Sequence, residues 1–234
     1  MTVVEPVTEN PPHRVRVPVT NQVWRDVVFL HWPCAPEEVL PHVPDGTQPD
    51  TFDGSAWIGV VALRMPSVRV LGFPVVPPLR ELVELNVRTY CIDRRGRRGL
   101  VFLTMEASSP AVLAASTLGG LPYRWARSSC AASGHELGFR SQRSGTAMDF
   151  RVRAGKPVEP TPLDEFLTAR WHLLFTWYGL TLHLPLEHEP WRLHSAELLD
   201  FTHSGLPGPT PARRITSVLC ASGVNSRFGL PTPA

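Results

Sequence analysis

Proline stands at 25 of the 234 positions, about twice its usual share. The prolines are spread along the chain and do not gather into one linker. A residue without a backbone N–H interrupts helix and sheet ladders wherever it falls. The prolines therefore punctuate a fold built of many short elements. Hydrophobic residues make up 43% of the chain and charged residues 19%, enough to bury a core and unlike a disordered tail or a coiled coil. The formal net charge of +2 gives no global pull toward nucleic acid or anionic membrane. Of the 23 basic residues only Lys156 is lysine, which removes most lysine-dependent chemistry.

The four cysteines, Cys34, Cys91, Cys130 and Cys220, form no C-x-x-C pair. Met1 to Thr20 is polar and has no apolar run of the kind that opens a secretory signal. The longest uncharged run, Ala107 to Tyr123, is broken by Ser, Gly and Pro and is no membrane span. The expectation is a cytoplasmic protein with reduced thiols, away from membranes. Residues 1–20 read as a flexible arm, 21–228 as a single domain and 229–234 as a frayed tail.

Three segments carry helix-start signals: Pro36 to Leu40, Ser109 to Ser116 and Thr161 to Leu167, the last with Asp164 at capping-box spacing. Strand signals are more numerous. Trp57–Leu63, Leu82–Ile92, Leu100–Met105, Trp171–Trp177 and Leu180–Leu184 are rich in branched and aromatic residues. Tyr178-Gly179 reads as a hairpin turn, and Asp93 to Gly99 as a longer connection. The fold class expected is α+β, mainly antiparallel β, with the sheet closed or folded on itself and a few helices outside.

Leu82–Ile92 is the most informative strand. Period two puts Val83, Leu85, Val87, Thr89 and Cys91 on one face, and Glu84, Asn86, Arg88 and Tyr90 on the other. Glu84 and Arg88 lie about 13 Å apart along a straight strand, too far for a direct ion pair. Such a row either faces solvent, as on any half-exposed strand, or faces a cavity that holds water or ligand.

The order of motifs along the chain carries a resemblance. Phe29-Leu30-His31-Trp32 is followed by Asp53-Gly54-Ser55-Ala56-Trp57 and Glu84-Leu85-Asn86-Val87-Arg88-Thr89-Tyr90. Then come Val101-Phe102-Leu103, Leu121-Pro122-Tyr123, Phe166 to Trp171 and His188-Glu189-Pro190-Trp191. Over about 22–225 this series resembles the YqjF-like bacterial proteins, domain-of-unknown-function family 2071. The resemblance places the chain in the acetoacetate-decarboxylase-like superfamily. It implies a β barrel or cone with flanking helices, enclosing an internal pocket.

In the decarboxylases a Tyr-Pro-Lys-Lys step supplies the lysine that forms an imine with a keto acid, activated by the ammonium beside it, a case that illustrates nucleophile activation in general. The matching step here is Gly120-Leu121-Pro122-Tyr123-Arg124, with both lysines replaced. Tyrosine forms no imine, and arginine stays protonated. The resemblance therefore implies a related pocket without Schiff-base chemistry, and turns Glu84, Asn86 and Arg88 toward it.

On this reading Glu84 and Tyr123 are the candidate catalytic pair, the carboxyl moving a proton and the phenol donating to an oxyanion. Arg124 beside Tyr123 would favour its phenolate. Arg88 would hold a carboxylate through its fork, unless Glu106 occupies it. His31 would line the pocket mouth, while Arg170 and His188 would hold a polar network near the ligand. The partner expected is a small oxo or carboxylate compound, acted on by lyase, hydrolase or isomerase chemistry or, alternatively, bound in the same pocket without turnover; a homo-oligomer is left open. His183, His188 and His194 lack metal-ligand spacing, so no metal is expected. The Arg94–Arg98 tip has no aromatic platform and reads as a solvated turn, so no nucleic acid is expected. No Walker motif, dinucleotide fingerprint or G-x-S-x-G elbow implies a cofactor.

Overall fold

The computed structural model describes residues 3–74, 81–109, 120–211 and 215–234. The chain opens with a long strand β1 (Thr20–Cys34), a short helix α1 (Pro36–Val39) and β2 (Gln48–Pro49). It continues through β3 (Ala56–Val70), β4 (Phe73–Pro74), β5 (Leu82–Ile92), β6 (Arg98–Ala107) and β7 (Tyr123–Trp125). A wing follows, made of β8 (Arg127–Ser133), β9 (Glu136–Arg143) and β10 (Thr146–Pro157). After helix α2 (Pro162–Thr168) come β11 (His172–Trp177), β12 (Leu180–His188), β13 (Leu193–Ser204), β14 (Ser217–Phe228) and β15 (Thr232–Pro233).

The strands form one mainly antiparallel sheet in the order β15-β12-β11-β6-β5-β3-β1-β14-β13-β10-β9-β8. Strand β12 also pairs with β14, through Leu186↔Phe228, Glu187↔Arg227 and His188↔Ser226. The ladder thus returns to its start through β12, β11, β6, β5, β3, β1 and β14. The parallel contacts are β6–β7 and a single pair, Leu173↔Leu100, between β11 and β6.

Local chemistry explains the elements. Thr161 Oγ1 accepts from the Asp164 N–H at 3.2 Å, and Asp164 Oδ2 accepts from the Thr161 N–H at 2.9 Å, so α2 starts where its capping box stands. Tyr178 and Gly179 take φ of 47° and 75°, the left-handed pair that a tight hairpin between β11 and β12 requires. In the Arg94–Arg98 turn the buried Asp93 accepts from the backbone N–H groups of Arg95 and Arg97. The expected helix at Ser109–Ser116 falls almost wholly outside the described residues.

Both chain ends lie along the body. The Val15 N–H donates to Glu187 Oε2 at 2.8 Å, and Trp171 Nε1 donates to the Thr8 carbonyl at 2.9 Å. At the other end β15 pairs with β12, and the Ala234 N–H donates to the Thr181 carbonyl at 3.1 Å. Among the described residues no helix is long and apolar enough to cross a membrane, and the four thiols are free.

Period two splits the central strands between two layers. One face packs Val28, Leu30, Val60, Leu85 and Val87 against Phe139, Met148 and Phe150 of the wing. The opposite face carries Phe29, Val61, Leu63, Met105 and Tyr123, and it is this face that surrounds the candidate site.

Candidate functional site

A cavity of about 420 Å³ lies on that second face. Its walls are mostly apolar, from Trp24, Leu63, Val68, Phe102, Met105, Leu186, Trp191 and Phe228. The polar exceptions include Glu84, Asn86, Arg88, Tyr123, Arg170 and His188.

Strand β5 supplies three of these from one face, at alternate positions. Arg88 Nε donates to Asn86 Oδ1 at 2.9 Å, and Asn86 Nδ2 donates to Glu84 Oε1 at 3.0 Å. From β7, the Tyr123 hydroxyl donates to Glu84 Oε2 at 2.8 Å. The amide thus bridges the gap that keeps Glu84 and Arg88 from pairing directly, and all donors run toward one carboxyl. Burial still outweighs them and raises the Glu84 pKa above its ordinary value. The Tyr123 pKa is pushed well above 10, first by burial and then by the Glu84 carboxyl beside it.

Arg88 lies over the Phe102 ring, 5.4 Å from its centroid. With Nε committed to Asn86, its two terminal nitrogens have no carboxylate partner among the described residues. Glu106, the acid that might have neutralised it, sits on the other face of β6. There it accepts from Ser141 Oγ at 2.5 Å and Arg143 Nε at 2.9 Å.

His31 is fully buried and does not line the cavity, contrary to its expected place at a pocket mouth. The reason is Gly59, its cross-strand neighbour on β3, which also opposes Arg88 on β5. A Cβ on Gly59 would stand 2.6 Å from His31 Cδ2 and 3.3 Å from Arg88 Cγ, so the glycine makes room for the imidazole beneath the guanidinium. Tyr90 Oη donates to the Leu167 carbonyl at 2.8 Å, so His31 Nε2, 2.8 Å away, carries a proton and donates to Tyr90. Burial first, then Arg88 and Arg170, lower the His31 pKa to about 3 and keep the ring neutral. His31 is thus a buried group that shares the space over Gly59 with the Arg88 stem.

Arg124 is also misplaced by the sequence reading. Neighbouring residues of a strand point to opposite faces, so when Tyr123 turns inward Arg124 turns outward. It is exposed and donates to the Tyr123 carbonyl at 3.2 Å. The phenolate that it was expected to favour is instead opposed by Glu84.

Arg170 lines the cavity but is committed elsewhere. It donates to the Phe166 carbonyl at 2.7 Å and to Asp50 Oδ2 at 2.5 Å, with its guanidinium over the Phe166 and Tyr90 rings. Asp50 also pairs with Arg98. His188 Nδ1 lies 2.7 Å from the Glu189 carbonyl and so carries the proton, leaving the Nε2 lone pair free in the neutral ring. Burial lowers its pKa to about 4. Among the described residues no cluster of His, Cys, Asp and Glu has the arrangement to hold a metal ion.

The sequence reading passed over the aromatic wall. Trp24 and Trp191 stack with centroids 6.1 Å apart and planes 10° apart, and Phe228 meets Trp24 edge-on at 6.0 Å. In sequence Trp191 stands only as the end of the His188–Trp191 motif, and the alternation of Gln22, Trp24 and Asp26 is too short a signal to place Trp24. Lys156, the one lysine, is exposed on β10 and absent from the cavity wall.

The arrangement defines a class by its fold. An acetoacetate decarboxylase-like enzyme from Sphingomonas wittichii RW1 superposes with a TM-score of 0.63 at 12% identity, covering 100% of this chain and 99% of that one. The enduracididine biosynthesis enzyme MppR, complexed with the condensation product of pyruvate and imidazole 4-carboxaldehyde, gives 0.64 at 12% identity, covering 95% of this chain and 92% of that one. The fold is therefore acetoacetate-decarboxylase-like. Within it, residues 21–225 match domain-of-unknown-function family 2071, described as an uncharacterized conserved protein, and the chain belongs to that family. The uncharacterized protein YqjF of Bacillus subtilis (strain 168) is 32% identical over 186 residues, 76% of each chain.

Proposed function

We propose that the cavity binds a small oxo or carboxylate compound and moves a proton on it without forming an imine. The observation that carries this reading is the connected row Tyr123–Glu84–Asn86–Arg88 on the wall of an otherwise apolar cavity. Arg88, held at Nε, offers its terminal fork to the anionic end. Glu84, with a raised pKa, takes a proton from the carbon beside the carbonyl. As charge develops on the carbonyl oxygen, the Tyr123 hydroxyl turns from Glu84 to that oxygen and donates to it. Return of the proton to either carbon face completes an exchange or isomerisation. No amine stands in the wall to capture the carbonyl. The reading is supported by MppR, a protein of the same fold whose structure is complexed with pyruvate, an oxo acid.

The self-satisfied state of Glu84 favours a second reading, a passive binder: both its oxygens already accept hydrogen bonds from the protein's own Asn86 and Tyr123. One experiment separates the two. Candidate oxo acids that raise the melting temperature are incubated in D₂O, and deuterium uptake at the carbon next to the carbonyl is followed by NMR. Uptake with the wild type that falls at least about a hundredfold in Glu84→Gln and Tyr123→Phe supports the enzyme. Binding without any uptake supports the binder. Uptake at the wild-type rate in both variants would remove these residues from the chemistry.

A further inference from the structure

The cavity is too large and too apolar for a three-carbon acid. Its volume of about 420 Å³ falls in the range of pockets that enclose drug-sized ligands, about 300–1,000 Å³. Beyond the β5 row, Tyr123, Arg170, His188 and a few neutral polar side chains, its walls are the Trp24–Trp191 stack, Phe228, Phe102 and aliphatic side chains. A small acid held at the β5 row would leave this apolar part of the wall uncovered.

The charges set the other requirement. Among the cavity-lining residues Arg170 already holds a carboxylate, Asp50 at 2.5 Å, which it shares with Arg98. Glu84 has its pKa raised and accepts from Tyr123 and Asn86. Arg88 is left as the cation whose terminal nitrogens lack a carboxylate. A partly buried guanidinium in an apolar setting gains most from a single carboxylate that uses both nitrogens. A second carboxylate on the ligand would meet Glu84 or the apolar walls.

From these two features we infer that the occupant is an amphipathic monocarboxylate, its anionic end on Arg88 and an alkyl or aryl body along the Trp24, Trp191 and Phe228 wall. The inference rests on the reading of this cavity as a ligand site and narrows the class of ligand it takes. Chain length, and not only the acid group, then sets affinity.

Titration calorimetry at neutral pH, using straight-chain carboxylates from acetate to decanoate, pyruvate, 4-phenylbutanoate and the matching primary amides, tests it. Each added methylene is expected to tighten binding about threefold to fourfold until the cavity is full. Each amide should bind at least about tenfold more weakly than its acid. In Arg88→Ala the difference between acid and amide should disappear while the dependence on length remains. In Val68→Phe, which narrows the apolar end, the optimum should move to a shorter chain. The wild-type series alone decides the matter if a variant does not fold. Acetate or pyruvate binding as tightly as octanoate would overturn this inference and leave the oxo-acid reading standing. A dependence on length with no preference for acid over amide would overturn the carboxylate end. Failure of every compound to bind would remove the reading of the cavity as a ligand site.

Discussion

Strands β5 and β10 both set polar or charged residues at alternate positions, and they use them in opposite ways. On β10, Met148, Phe150 and Val152 are buried while Asp149, Arg151 and Arg153 point outward. Each outward charge meets an opposite one directly across the ladder: Asp149 with Arg140, Arg151 with Asp200, and Arg153 with Glu136 and Glu197. On β5 both faces are covered, so Glu84 and Arg88 cannot turn to water and are wired along their own strand through Asn86. The alternation in sequence is the same. What differs is whether remote strands close over the polar face, and burial turns an ordinary surface pattern into one polar row wired along its own strand.

The contrast is broken most severely by removing a buried partner. Asp50→Ala strands Arg170, whose side chain is 2% exposed, and releases Arg98. Chemical denaturation should show a loss of about 3–5 kcal/mol. A loss below about 1 kcal/mol would mean that this buried network contributes no more than a surface pair.

Gly59→Ala comes next. The added methyl forces His31 and the Arg88 stem apart, and crowding of this kind costs about 1–3 kcal/mol. Ligand affinity should fall with stability, because the displaced guanidinium no longer presents its fork. Stability lost with affinity retained would show that His31 does not position Arg88.

Acid sharpens the comparison further. His31 and His188 are held neutral, with pKa values lowered to about 3 and about 4, both chiefly by burial. A lowered imidazole contributes stability that is present above its unfolded value and is lost as pH falls through the folded one. Stability should therefore decline below about pH 6.5, by up to about 1.4 kcal/mol per pH unit for each such ring, and chemical denaturation across that range reads it. His31→Gln should flatten that limb. Glu84 acts in the other direction: its raised pKa stabilises the fold at low pH, and that share is lost as pH rises through the raised value.

The smallest effect is expected on β10. Arg151→Ala removes a pair whose side chains are 58% and 39% exposed, and the melting temperature should stay within error of the wild type.

Much of this fold could be read from local pattern. The β5 limits, the α2 capping box and the Tyr178-Gly179 turn were marked by nearest-neighbour chemistry, and the ordered motifs carried the family. Other features depend on partners distant in sequence. The pairing of β12 with β14, and the docking of the tail as β15, are set by contacts some forty residues away. The Met148–Arg153 alternation is a strand signal of ordinary strength, bounded by Ser144-Gly145 on one side and Gly155-Lys156-Pro157 on the other. His31 was misplaced for the same reason as the closure: only the pairing of β1 with β3 shows that a glycine faces it. Arg124 was different, since period two on a strand containing Tyr123 already required the two to diverge.

The account turns on where a carboxylate settles. The direct test is a crystal structure grown with the tightest-binding acid of the series. The expected result is both carboxylate oxygens within about 3 Å of the Arg88 terminal nitrogens, with the apolar body against Trp24 and Trp191. Full density for that acid at the exposed Arg14 and Arg16 instead, with the cavity filled only by water, would contradict it.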